Sequence, residues 1–485
     1  SALSRLRRGF KSRRGRHLFL FRRKFLRISY NSCIMICVME LKFLTSASVI
    51  VKDKNVNILC DPWLVDGEYY GSWNHYPKCN FVPEDFNFVD YIYISHIHPD
   101  HFSRKTLSKM NKKIPVLILD YYEKFLKNNL ENLGFTVIEL KNNTRTHLKD
   151  NVYINILASD NCNPELCKKF TGCSLIESKY GATQIDSLCI IDNGEKVIVN
   201  TNDCPFELSH ESCMEIKKLY DHIDLLLVGY SGAGPYPQCF EMDESKKIKE
   251  AKNKKLKFLK QAEDYINLLH PKYFMPFAGR YTLGGYLAKL NNYRGVTELD
   301  DTIEYFNNSS TLDTLTSKCL LLNSNSTFDL ENFSQSSDYQ KINLIEKNNY
   351  IKNILSNRKL DYENENFPSK TELLSLFPNC YDRFESRRKR IGYASNTFIF
   401  IEYLDNEFIE ISCNGNGFSY KTMEQLDLNQ NFVMIKLDKR LLKQILKGPK
   451  FAHWNNAEIG SHLKFRRKPE KFERALYHCL SYFHS

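Results

Sequence analysis

The stretch Tyr91-Ile92-Tyr93-Ile94-Ser95-His96-Ile97-His98-Pro99-Asp100-His101 decides how the chain is read. Four apolar or aromatic residues run into a turn that holds three of the thirteen histidines and an aspartate. Such a run, closed by polar residues and Pro, reads as a buried strand that ends in a loop. The strand end fixes the loop backbone. His96 and His98, two apart, then turn their imidazoles to one point, while Asp100 and His101 face a second. Imidazole and carboxylate are ligands that zinc, iron and manganese share. A lone histidine on an apolar face is usually a satisfied core residue, but H-x-H-x-D-H is hard to explain structurally, and the spacing predicts a metal site.

On the N-terminal side, Leu41 to Val51 and Val56 to Cys60 read as strands joined by a turn at 52–55. Asp61 follows the second strand. There it either orients a neighbouring metal ligand or serves as a turn residue before Pro62. Residues 65–89 form an aromatic-rich loop containing Trp73, placed where binding residues concentrate. On the C-terminal side come a helix from Arg104 with Ser103 as its N-cap, a strand at Val116 to Leu119, a helix at Tyr121 to Leu133 and a strand at Thr136 to Leu140. A strand from Val152 runs into Ala158-Ser159-Asp160, and Ser187 to Ile191 pairs with Lys196 to Asn200 as a hairpin leading to Asp203. Leu225 to Gly229 enters the loop Tyr230-Ser231-Gly232-Ala233, a Lys-studded helix spans about Asp243 to Leu269, and a short strand ends at Ala278-Gly279-Arg280. The recurring feature is a strand that ends in a polar residue. That layout gathers ligands at one edge of a sheet sandwich.

At 485 residues and 42% apolar content the chain is long enough for two domains with real cores. The net charge of +11 belongs to residues 1–38, which carry eleven Lys and Arg and no acid; the remainder is neutral. This leader reads as a targeting peptide, as an anionic-surface arm, or as sequence translated ahead of Met39, which opens a clean strand pattern; we place it outside the fold. A neutral body argues against nucleic acid as a partner. No stretch has the length of a transmembrane span. Fifteen Cys without any C-x-x-C pair read as reduced thiols, and the expected location is the cytoplasm.

Strand-Asp61, the H-x-H-x-D-H loop and the later strand-end Asp203 resemble the metallo-β-lactamase fold superfamily. Asp61-Pro62-Trp63-Leu64, Tyr230-Ser231-Gly232-Ala233, Pro276-Phe277-Ala278-Gly279 and His453-Trp454-Asn455-Asn456-Ala457-Glu458-Ile459-Gly460 further resemble its cytidine-monophosphate-N-acetylneuraminate hydroxylase branch. The resemblance implies an αβ/βα four-layer sandwich over residues 39–305, followed by a smaller α+β C-terminal domain. It also implies one or two transition-metal ions, iron or zinc. Carried over by position, one ion would have His96, His98 and Asp160, the other Asp100, His101 and the bridging Asp203. Asp100 and His101 would be the catalytic pair, and Asp61 would support the ligands from behind. The superfamily's last His position holds Ala278, which leaves an open position for water or O₂. His222 and His270 are the remaining stand-ins. The branch carries a Rieske domain, whose cluster needs Cys-x-His half-sites. This chain has none, so an electron donor would have to be a separate protein.

Residues 306–344 are Ser/Asn-rich and read as a linker. Residues 345–485 should hold strands at Phe398 to Tyr403 and Phe432 to Ile435 and helices at Lys439 to Leu446 and near Pro469 to Phe483. Trp454, Asn455 and Asn456 offer a flat apolar face beside amides, either for a sugar or base or as a capped turn. Trp73, Tyr230 and Ser231 are the other substrate candidates. The leading expectation is a hydroxylase-like metalloenzyme acting on a nucleotide-activated or acidic sugar. The alternatives are a metallohydrolase of a phosphodiester, ester or lactone, using a metal-bound hydroxide, and a non-catalytic binding protein on the same scaffold.

Overall fold

In this computed structural model, residues 39–159, 186–312 and 315–485 are described, and Asp160 lies outside them. In chain order the first strands are β1 (Glu40–Thr45), β2 (Ser48–Asp53), β3 (Val56–Cys60), β4 (Trp73–Asn74), β5 (Tyr91–Tyr93), β6 (Val116–Leu119) and β7 (Val137–Leu140). They are followed by β8 (Thr146–Lys149), β9 (Val152–Ala158), β10 (Ser187–Asp192), β11 (Val197–Asn200), β12 (Leu225–Gly229), β13 (Tyr273–Phe277), β14 (Thr282–Leu283), β15 (Lys318–Cys319), β16 (Thr327–Asp329) and β17 (Ser334–Gln335). Two sheets face each other, with strand orders β17-β16-β1-β2-β3-β5-β6-β7 and β15-β13-β12-β11-β10-β9-β8.

Period-two burial builds the layers. Leu225 and Leu227 of β12 point into the core between the sheets, together with Ile154, Ile156, Met275 and Phe277. Leu226 and Val228 point the other way and pack against Leu259, Ala262 and Ile266 of the helix Glu244–Leu269. A strand buried on both faces must be a continuous apolar run, which is what Leu225–Gly229 is. Leu126 and Leu130 cover the first sheet in the same way from the helix Phe125–Asn132. The result is a four-layer αβ/βα sandwich, the architecture that the sequence resemblance implies. β3, β5, β6 and β7 run parallel, as do β11, β12, β13 and β15, so each set delivers its strand-end loops to one edge.

Several expectations need correction. Leu41 to Val51 is two strands, β1 and β2, because Ser46, with φ of 44°, takes a left-handed turn that folds the run back on itself. The helix expected at Tyr121 to Leu133 begins only at Phe125. The stretch 306–344 is more than a linker: β15 extends the second sheet beside β13, and β16 and β17 extend the first beside β1. Its polar residues suit edge strands, where half the backbone groups face outward.

The C-terminal part forms a five-stranded sheet from β18 (Phe398–Leu404), β19 (Glu407–Ser412), β20 (Phe418–Thr422), β21 (Phe432–Lys436) and β22 (Lys464–Lys468), ordered β20-β19-β18-β21-β22. Three of these strands went unread because their pattern is interrupted by charge. The closing helix is shorter than expected, Arg474–Leu480. Leu373, Phe377 and Phe384 of the helix Lys370–Arg390 and Leu441, Leu442 and Ile445 of the helix Lys439–Leu446 cover one face of the sheet. The same core takes in Trp63, Tyr69, Trp73 and Tyr281 from the sandwich, and residues 39–485 belong to one compact unit. Among the described residues no helix is long and apolar enough to cross a membrane.

Candidate metal centre

The apolar run at Tyr91–Tyr93 forms β5, and the loop beyond it is anchored before it reaches the histidines. Ser95 donates its backbone N–H to Asp61 Oδ1 (2.8 Å) and its hydroxyl to Asp61 Oδ2 (2.6 Å), while the Tyr121 hydroxyl donates to the Ser95 carbonyl (2.5 Å). Asp61 is fully buried at the end of β3, and its own N–H donates to the Tyr93 carbonyl, which locks the two strand ends together. Further on, His101 and Phe102 donate their N–H groups to the His98 carbonyl, closing the turn.

Each imidazole is held by its outer nitrogen. His101 Nδ1 lies 2.7 Å from Asp61 Oδ2. His96 Nδ1 lies 3.0 Å from Ser95 Oγ and 3.3 Å from Asp186 Oδ1. His98 Nε2 lies 3.1 Å from Asn455 Oδ1. An oxygen acceptor on the outer nitrogen fixes the tautomer and leaves the inner nitrogen as a lone pair. The inner nitrogens converge: His96 Nε2 and His98 Nδ1 face each other at 2.8 Å, and buried His101 Nε2 has no hydrogen-bond partner. Asp203 Oδ2 stands 3.5 Å from His101 Nε2 and Asp100 Oδ2 stands 3.6 Å from it. His96, His101 and Asp203 offer atoms within 4.8 Å of one another. Two lone pairs face to face, beside a third nitrogen and two carboxylates, fit a transition-metal cation.

The electrostatics point the same way. Burial, aided by His101, pushes His96 down to about 4, and burial with His96 pushes His98 down to about 4, so both rings are neutral donors at neutral pH. Burial also opposes charge on His101, but the Asp203, Asp61 and Asp100 carboxylates outweigh it and hold that ring well above its ordinary value. Burial works against the Asp203 carboxylate as well, yet His101 and the other two imidazoles keep it well below the usual range. The carboxylates demand positive charge at this point. Asp203, its side chain 35% exposed, is the member that faces outward.

Sequence reasoning missed Asp186, Tyr69 and Glu68. Asp186, just before β10, accepts the Asp203 N–H at 2.7 Å; burial and the Asp203 charge push it well above the carboxylate range. The Tyr69 hydroxyl donates to Asp100 Oδ1 at 2.6 Å. Glu68, buried and pushed up to about 7, accepts from Ser103 Oγ at 2.6 Å. Nothing in the local pattern marks Asp186; the aromatic loop was noted, but not its reach to Asp100.

The substrate candidates fare differently. Trp73 is core: it stacks on Tyr281 with ring centroids 3.5 Å apart and is 1% exposed. Trp454 is also core, and its indole N–H donates to the Phe483 carbonyl at 2.8 Å. Asn455 holds His98, while Asn456 is half-buried and the nearby His453 N–H donates to the Tyr70 hydroxyl at 2.7 Å. Tyr230 and Ser231 are buried with unpartnered hydroxyls. Ala278, buried with φ of 63°, donates its N–H to the Ser46 carbonyl. His222 bonds the Glu195 carbonyl and His270 caps a helix, both outside the cluster.

Residues 40–163 match the β-lactamase superfamily domain. The chain is 28% identical over 251 residues to a putative Rieske 2Fe-2S iron-sulfur protein of Mycobacterium tuberculosis, covering 50% of this chain and 44% of that one. It is 25% identical over 295 residues to the cytidine monophosphate-N-acetylneuraminic acid hydroxylase of Danio rerio, covering 57% and 44%. It thus spans less than half the length of these curated relatives. Among solved structures it is similar to an isothiocyanate hydrolase from Delia radicum gut bacteria, with 13% identity, a TM-score of 0.41 and coverage of 60% and 98%.

Proposed function

We propose that the chain is a metal-dependent enzyme that acts on an acidic or nucleotide-activated sugar by hydroxylation, with electrons from a donor outside the residues described. One observation carries this reading: three imidazoles tied at their outer nitrogens, with the inner nitrogens of His96 and His98 turned to each other and that of His101 unpartnered beside Asp203. His96, His98, His101 and Asp203 would hold the ion, with Asp100 beside them and Asp160 as a further donor by resemblance. When bound, the ion supplies Lewis acidity or redox chemistry at the strand-end edge. The protein's part is orientation. Asp61, Asn455 and Ser95 fix the three rings, Tyr69 fixes Asp100, and the aromatic loop keeps water from the back of the site.

Hydroxylation is preferred to hydrolysis because the relatives named above, which match the chain over half its length, include a hydroxylase and a Rieske protein. The test is metal content of the full chain purified without oxygen, followed by O₂ uptake with a chemical reductant and cytidine monophosphate-N-acetylneuraminate. Iron near one or two equivalents with substrate-dependent O₂ uptake supports the reading. Tight zinc with hydrolysis of a phosphodiester or ester replaces it with the hydrolase reading, and no metal after reconstitution overturns both.

A further inference from the structure

The second sheet's strand ends carry donors with nothing to donate to. Tyr230, directly after β12, is fully buried with an unpartnered hydroxyl, and the hydroxyls of Ser231, Thr297 and Tyr339 are equally bare. Tyr230 and Tyr339 pack in one cluster. Each buried unpaired donor costs about 1–3 kcal/mol, so the arrangement calls for an acceptor.

The cations of the surrounding loops are mostly engaged. The Arg294 guanidinium is taken up by the carbonyls of Tyr281 and Asn291, and Lys347 is paired with Glu298. Arg280 is different: among the described residues it has no hydrogen bond and no ion pair, although it lies close enough to act on Tyr230, Tyr339, Glu298 and Lys347. The acids that act on Tyr339 beside Arg280 are Glu298 and Asp300. The Tyr230 and Arg280 loops also touch. Gly279, with φ of +67°, sits so close to Ser231 that a Cβ would fall 2.8 Å from the serine Cβ. β11, β12 and β13 are adjacent and parallel, and Asp203, Tyr230 and Arg280 each follow their strand within three residues. At about 4.8 Å per strand, Arg280 lies roughly 10 Å along the edge from Asp203.

We propose that Arg280 and the Tyr230 hydroxyl form an oxyanion subsite that receives a phosphate or carboxylate group of the substrate. A guanidinium binds such a group through two parallel N–H donors, and the buried phenol supplies a third. The inference rests on the reading of this edge as the active one, and its test is independent of metal. Cytidine monophosphate and N-acetylneuraminate are titrated separately, by calorimetry, into the full chain and into Arg280→Gln, Arg280→Lys and Tyr230→Phe, with folding checked by thermal melts and metal content measured alongside. One probe should bind and lose at least tenfold in affinity in Arg280→Gln, less in Arg280→Lys and about threefold or more in Tyr230→Phe, at unchanged metal content. Loss for the cytidine nucleotide assigns a phosphate; loss for the sugar acid assigns a carboxylate. Equal affinity in wild type and Arg280→Gln, or no binding of either probe, overturns the subsite. Selective loss of binding in a chain that takes up no metal would instead refute the metalloenzyme reading and leave the subsite standing.

Discussion

The two sheets end at the same edge and do different work there. The first sheet's loops are saturated: Asp61, Ser95, His96 and His101 each have their outward groups bonded, and the free lone pairs all point to one place. The second sheet's loops are sparse, offering Asp203, an alanine at position 278, bare hydroxyls and an arginine that is unpaired among the described residues. Saturation produces rigid orientation of donors. Sparseness leaves groups whose partners must arrive from outside. On the reading proposed above, the first half would supply the three rings for the cation, and the second would add Asp203 and the groups that meet the substrate.

The largest expected effect is on metal. His101→Ala should reduce metal per chain to below a tenth of wild type by mass spectrometry, since it removes the donor flanked by three carboxylates. If His101→Ala kept its metal while Arg280→Gln lost it, the roles of the two sheets would be reversed.

Next comes Trp73, which joins the halves through its stack on Tyr281. Trp73→Ala should cost about 3–5 kcal/mol in urea unfolding, as for other buried Trp truncations. A cost below 1 kcal/mol together with weakened sugar binding would return Trp73 to the substrate side.

His462 supports the first sheet from a distance. It accepts the Tyr362 hydroxyl proton at Nδ1 (3.0 Å) and donates from Nε2 to the Tyr69 carbonyl (2.7 Å), beside the tyrosine that holds Asp100. Burial pushes it down to about 4 from 6.5. Between those values the unfolded chain binds the proton and the folded one does not. Stability is therefore full above pH 6.5 and falls as pH drops toward 4, by roughly 2–3 kcal/mol from this group. Melts from pH 7 to 4.5 should show a shallower slope in His462→Gln, and an unchanged slope would assign the loss to other groups.

The smallest effects belong to the outer partners. Asp61→Asn should weaken metal binding about 10–100-fold, and Asn455→Ala about tenfold, with folding retained. Equal effects from Ser231→Ala would erase the distinction between the saturated and sparse edges.

The strand rhythm, the hairpin at Ser187–Asn200 and the strand-end positions of His96, His98, Asp100, His101 and Asp203 were all readable along the chain, because period-two burial and residue spacing are local properties of the backbone. The linker reading failed at β15 and β17, since an edge strand needs little apolar patterning once a neighbour supplies its hydrogen bonds. Trp73 and Trp454 were misread because an aromatic in a loop looks the same whether it waits for a ligand or fills a core.

From the residues alone came the candidate donors and the edge to which the strands deliver them. Which nitrogen of each ring turns inward came from packing. Asn455 reaches His98 across 357 positions, and Asp186 meets His96 from the opposite sheet. Contacts over such separations follow from how layers stack, and no periodicity in the sequence records them.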